Sequence, residues 1–201
     1  MPSAKGLVHG VAINDSDYPV FHHSYRDGVR YISWACPVYR MWKNMLRRCY
    51  CPKFLSKNPT YAGCSVCDDW LVFSRFRAWV ITQEFDGKDL DKDLLFPGNK
   101  SYSPDRCVFI SHALNSFITD RLRSRTRRKV GVTFHEQTGK YRAKCKSPIT
   151  GKSDHLGLFI TQDSAHKAWL SRKNYWAQYF ADLESDQRIA IALRSRYMEV
   201  N

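Results

Sequence analysis

The sequence has no apolar run approaching the roughly 20 residues that a membrane-spanning helix needs, so no membrane partner is expected. Its first residues, MPSAKGLVHGV, lack the hydrophobic core and small-residue cleavage site of a secretory leader, and an intracellular, cytoplasmic protein is expected. Acidic residues are scarce: 19 Asp and Glu stand against 32 Lys and Arg, a formal net charge of +13. That deficit creates a broad positive field that attracts polyanions, nucleic acid foremost. A regular cysteine framework is also missing. Seven cysteines, an odd number at irregular spacing, exclude a disulfide scaffold in such a compartment and leave free thiols or metal ligands. No internal repeat is visible.

What the sequence does contain is enough to fold. Hydrophobic residues make up 43% and aromatics 14%, six Trp among them, which is too apolar for a disordered chain. With 201 residues the chain holds one ordinary domain or two small ones. Residues 1–30 carry Asp, Ser, Pro and Gly at short intervals without a sustained period and read as an irregular arm. From Pro37 to Cys51, Val38, Met41, Trp42, Met45 and Leu46 recur at helical spacing, with Pro37 in the first turn. A second helix is expected where Trp70, Phe73, Phe76, Trp79 and Val80 recur at steps of three and four, with Asp68 or Asp69 as its cap. "LDKDLL" and "CVFIS" read as two short strands separated by the turn "FPGN", and "HALNSFI" as the start of a helix. Then comes "RLRSRTRRK", in which six of nine residues are Arg or Lys. The domain boundary is expected in this basic linker, residues 120–129.

Beyond the linker, three alternating runs separated by "EQTG" and "SPITGKSD" predict an antiparallel meander. A long amphipathic helix follows, starting at Thr161 or Asp163, with Ala165, Trp169, Trp176, Phe180 and Leu183 on one stripe. Ser185 and Asp186 can cap a last helix in residues 185–201. In "GKYRAKCK" the period of two puts Tyr141, Ala143 and Cys145 on one face and Lys140, Arg142, Lys144 and Lys146 on the other. A small sheet carrying such a row is a shape that a DNA major groove admits. The segment "VGVTFHEQTGKYRAKC…HLGLFITQDSAHKAW" resembles the plant ethylene-response-factor (Apetala-two) DNA-binding domain, as found in phage and integrase-like proteins. The likeness is carried by Gly131-Val132, Gly139-Lys140-Tyr141, Ala143, Leu156-Gly157, Phe159, Ala165 and Ala168. It implies a DNA-binding domain over residues 130–184, with Thr133, His135, Arg142, Lys144, Lys146 and His155 at the base-reading positions. The linker cations Arg121, Arg123, Arg125, Arg127, Arg128 and Lys129 suit phosphates or a narrow minor groove.

Most of residues 10–120 resembles phage HNH homing-endonuclease-like proteins, through "INDSDYPV…CPVYRMWKNMLRRCY…PTYAGCSVCDDWLVFSRFRAWV…LDKDLLFPGNKSYSPDRCVFIS..LN", and an HNH-like module is expected over residues 31–119. The resemblance implies a ββα-metal frame that holds one divalent ion, commonly magnesium, against a scissile phosphate, in the cytoplasm of a phage-infected cell. Aligned through Gly98-Asn99 and Asn115, Asp91 matches the metal-binding Asp and Asn115 the terminal ligand. Lys92 falls where the family has its histidine, and Arg106 stands at the middle Asn position beside Asp105. Lysine, with a reference pKa of about 10.4, is a poor general base near neutrality. Two rescues stay open: Asp91, Asp93 and Asp105 binding a metal whose own water is activated, or a base from His112, His22 or His23. Separately, Cys64 and Cys67 form a CxxC that Cys49, Cys51, Cys36 or Cys107 would complete as a structural zinc site, the quartet Cys49, Cys64, Cys67 and Cys107 being one choice.

The expected class is α+β, an HNH-like module followed by a three-stranded antiparallel sheet on a long helix. The expected function is binding of double-stranded DNA. Metal-dependent nicking, a purely non-catalytic DNA binder, and a host-takeover factor for RNA or a host protein all stay open.

Overall fold

The computed structural model describes residues 6–119 and 129–198. It is a mixed α+β chain that divides into two compact units, Met1–Ile110 and Ser111–Asn201. The division falls upstream of the basic linker, whose residues 120–128 lie outside the described residues. Among the described residues no helix is long and apolar enough to cross a membrane.

The first unit opens with a hairpin. Strands β1 (Phe21–Arg26) and β2 (Val29–Ala35) pair antiparallel, and the chain reverses at Asp27-Gly28, with φ of 50° and 74°. Two successive positive φ values are what a tight hairpin turn of right-handed strands requires, and Asp-Gly meets them at little cost. The hairpin replaces the last part, from Phe21 on, of the irregular arm expected for residues 1–30. Helix α1 (Pro37–Tyr50) has proline in its first turn and buries Val38, Tyr39, Trp42, Met45, Leu46 and Cys49. Its central Trp42 donates its indole N–H to the Trp70 carbonyl at 2.6 Å, so a fully buried ring leaves no polar atom unsatisfied. After a four-residue helix, α2 (Pro52–Leu55), the short strand β3 (Ser65–Val66) leads into helix α3 (Phe73–Val80), which buries Phe73, Phe76 and Val80.

Neither Asp68 nor Asp69 caps α3. They sit in a preceding 3₁₀ turn, Asp68–Leu71, and Asp69 pairs with Arg75 at 2.9 Å. The capping oxygen comes from the distant Asp15, whose carboxylate accepts from the Ser74 amide at 2.8 Å and the Ser74 hydroxyl at 2.6 Å. Strand β4 (Lys88–Asp91) pairs with β6 (Val108–Ser111), and β5 (Ser101–Tyr102) runs parallel to β3. Trp42, Trp70, Phe73, Phe76 and Tyr102 are almost fully buried. At about 1.5–3 kcal/mol for each large apolar side chain, they dominate the stability of this unit.

The second unit begins with α4 (His112–Ile118), capped by the Ser111 hydroxyl, which accepts from the Leu114 amide at 3.2 Å. Strands β7 (Val132–His135), β8 (Lys140–Lys146) and β9 (Ser153–Phe159) then form one antiparallel sheet in that order. The sheet packs on the 22-residue helix α5 (Gln162–Leu183), capped by Thr161 as the sequence indicates, and α6 (Gln187–Arg196) is capped by Asp186. Gly131 shows why the entry to β7 needs glycine. Its φ is +78°, and a Cβ there would lie 2.0 Å from the Trp169 ring.

Candidate nucleic-acid interface

The register of the sheet decides which side chains share a face. Thr133 lies opposite Arg142 and Arg142 opposite Leu158; His135 faces Lys140, Lys144 faces His155 and Lys146 faces Ser153. Val132, Ala143 and Gly157 form the alternate row, with Phe134, Tyr141 and Phe159, and Val132 and Ala143 are buried with Ala165 of α5. The face turned from the helix therefore gathers all six positions expected on it: Thr133, His135, Arg142, Lys144, Lys146 and His155. It also carries Lys140, whose place follows from the same alternation.

The sign of this face is uniform. Asp154 is the one carboxylate within the three strands, and it stands opposite Cys145, on the helix side. There it pairs with Arg172 of α5 at 2.7 Å. Lys140, Lys144 and Lys146 are exposed, and with Arg142 between the first two they place a cation at every second residue of β8, about 7 Å apart along the strand. Arg142 is held across the strands by a bond from its Nε to the Thr133 hydroxyl at 3.3 Å, which pre-orders the guanidinium. Three strands at about 4.8 Å spacing make a ribbon about 10 Å across, within the roughly 12 Å of a major groove.

Of the six linker cations, Arg121, Arg123, Arg125, Arg127 and Arg128 lie outside the described residues. Lys129 is described, and it is engaged: its Nζ lies 2.6 Å from Asp163 in the first turn of α5. That hydrogen bond, with the lysine's charge, holds the Asp163 carboxyl below its usual range. Lys129 thus serves the start of the helix, where a carboxylate also meets the helix dipole.

The HNH-like segment is built differently from its sequence reading. Strand β4 ends at Asp91, because the Asp91 Oδ1 accepts the backbone amides of Asp93 at 2.9 Å and Leu94 at 2.6 Å. This local turn replaces the rest of the strand expected in "LDKDLL". Lys92 is 6% exposed, and its ammonium donates to the Asn99 carbonyl and to Asp93 Oδ1, each at 2.6 Å. Asn99 answers by donating to the carbonyls of Lys92 at 2.9 Å and Ser101 at 2.7 Å. Its side-chain Oδ1 accepts the Ser101 amide at 3.0 Å. Together these bonds close the "FPGN" loop. At the position where the sequence resemblance expects a base lies a buried lysine that serves as a pin.

A magnesium ion does not fit these residues. The ammonium of Lys92 already occupies the neighbourhood of Asp93, one oxygen of Asp91 is spent on two amides, and a divalent cation would meet like charge. Asp105 lies in the turn before β6, where hydrogen bonds from Ser103 (2.6 Å) and its own backbone, with Arg106 beside it, hold its carboxyl low. Asn115, the expected terminal ligand, lies in α4 of the second unit. Two cations complete α4 from within that unit: Lys173 of α5 donates to the Phe117 carbonyl and Arg196 of α6 to the Ile118 carbonyl at 3.1 Å.

The cysteines also depart from the expected quartet. Among the described residues no three His, Cys, Asp or Glu side chains converge as a metal-holding group. Cys49 continues the buried stripe of α1, and burial, then the neighbouring Cys64, push its thiol up to about 12. Burial likewise pushes Cys107 up to about 12 and raises Cys67. Cys49 and Cys107 are core residues and Cys67 packs half-buried against the same core, a role that the helical spacing of Cys49 with Met45 and Leu46 already signals. Compared with known family models, curated proteins and solved structures, the chain matches none.

Proposed function

We propose that this chain binds double-stranded DNA by laying the exposed face of β7–β8–β9 into the major groove. The observation that carries this reading is the sorting of charge across the sheet. The cations of β8 stand on the solvent face, while the single acidic residue of the three strands is turned inward and neutralised by Arg172. A charge run that merely solvates a surface has no reason to exclude its counter-charge. Lys140, Lys144 and Lys146 serve phosphates, and Arg142, steadied by Thr133, has the planar fork that reads guanine edges.

In this reading the β4–β6 segment is a scaffold of homing-endonuclease type without hydrolytic chemistry, since its lysine is a pin and its aspartate ends a strand. The protein is a non-catalytic DNA binder.

The test is duplex binding as a function of salt. Lys144→Ala/Lys146→Ala weakens binding and lowers the slope of log K against log salt by about 2, at roughly 0.9 for each lost phosphate contact. An unchanged slope overturns the sheet-in-groove reading. Supercoiled DNA incubated with magnesium or manganese stays supercoiled. Metal-dependent nicking by the wild type that disappears in Asp91→Ala overturns the scaffold assignment.

A further inference from the structure

The β1–β2 hairpin is a ribbon exposed on both faces. Every residue of β2 from Val29 to Trp34 is exposed, with Tyr25 at 71%, Tyr31 at 47% and Trp34 at 43%. A two-stranded hairpin is marginal on its own in water, and aromatic surface displayed this way marks an interaction site. The register puts Trp34 opposite His22 and Tyr31 opposite Ser24, on one face with Arg26 and Val29; Tyr25 and Arg30 share the other. The His22 and Trp34 rings lie 4.9 Å apart. At its base the ribbon is fastened to α1: Phe21 meets Tyr39 edge-on at 5.3 Å, and Lys43 Nζ lies 5.6 Å from the Phe21 ring centre.

Lys43 belongs to a second feature. Arg40, Lys43 and Arg47 recur at steps of three and four on α1 and all three are exposed, while the helix has no acidic residue at all. The cation stripe thus begins where the aromatic ribbon is anchored. Against Arg26, Arg30, Arg40, Lys43 and Arg47 the two elements set one carboxylate, Asp27. A second copy would bring the same excess of positive charge to the contact, so self-pairing through this surface is opposed, and a polyanion is favoured.

We propose that the ribbon and the solvent face of α1 form a site for an unpaired nucleic-acid strand, separate from the duplex-binding sheet. Bases stack on Trp34 and Tyr31, which share one face of the ribbon, and phosphates run along Arg40, Lys43 and Arg47. Stacking selects single strands because a paired base hides its faces in the helix, whereas an unpaired one offers them to any exposed ring regardless of sequence. The site goes beyond the duplex reading and stands without it.

The experiment uses the full chain with two probes, fluorescein-labelled (dT)12 and a labelled duplex, in anisotropy titrations. Wild type binds (dT)12 with quenching of tryptophan fluorescence. Tyr31→Ala/Trp34→Ala weakens (dT)12 roughly tenfold or more, given about 1–3 kcal/mol per stacked base, loses the quenching, and keeps duplex affinity within about twofold. Trp34→Phe, which retains a ring, keeps most of the (dT)12 affinity. Absence of (dT)12 binding by the wild type overturns the proposal, as does an equal loss for both probes in the double variant. Self-association of the wild type that the double variant relieves, with (dT)12 affinity unchanged, assigns the surface to a second copy and overturns it too.

Discussion

Two regions of this chain carry lysines on short strands or at their ends, and they spend them in opposite ways. At the end of β4, Lys92 is buried, bonded to a carbonyl and a carboxylate, and closed behind Asn99. On β8, Lys144 and Lys146 are exposed, and the acid across the sheet from them is turned to the helix side. A cation whose hydrogen bonds are all met inside the fold contributes to stability and nothing to a partner. A cation left in water beside others of its sign costs the fold self-repulsion, which a polyanion relieves. Net charge alone does not separate the two cases; the bonds do.

The largest expected effect breaks the comparison on the buried side. Lys92→Met removes the ammonium and leaves the Asn99 carbonyl without its donor, at a cost of about 3 kcal/mol. The check is a clear fall in melting temperature with duplex affinity unchanged; a lost duplex affinity in a protein that melts normally would make Lys92 a contact residue instead. Gly131→Ala attacks the other side through its backbone. The added methyl meets the Trp169 ring at a positive φ, costing about 2 kcal/mol, and duplex binding falls with the loosened sheet. Asp15→Ala is the mildest, about 1 kcal/mol for a lost helix cap.

Asp15 also has a pH signature. Burial opposes its ionisation, but the bonds from Ser74 outweigh it and hold the carboxyl low. A lowered folded-state pKa means that the cap's contribution is fully present above the unfolded value, about 3.9, and is lost as pH falls through the folded one. The melting-temperature gap between wild type and Asp15→Ala therefore closes below about pH 4, and a gap that persists at pH 2 contradicts this role.

Legibility from sequence followed how local the cause was. Helix α1, the β7–β9 meander and the caps Thr161 and Asp186 all come from periodicity or a neighbouring residue, and were readable. The exposed face of β8 was readable for the same reason. The β1–β2 hairpin escaped because its strands carry aromatics on both faces and so show no polar alternation, although Asp27-Gly28 was there to be weighed. The cap of α3 escaped because Asp15 lies 59 residues from Ser74. Lys92 illustrates the deeper limit. Alignment to a family frame says which residue stands at a position, while its burial and its bond to a carbonyl seven residues away belong to the folded loop alone.

The bonds that Lys173 and Arg196 send to the last carbonyls of α4 bear on how the second unit assembles. A seven-residue helix cannot hold itself in water, and here its carboxyl end is completed by side chains from α5 and α6, the last helices of the chain. The earliest segment of the unit to be made is thus among the last to become stable. Removing α6 would take the Arg196 bond with it and leave that end of α4 to Lys173 alone, so truncation from the far end should weaken the start of the unit as well as shorten it.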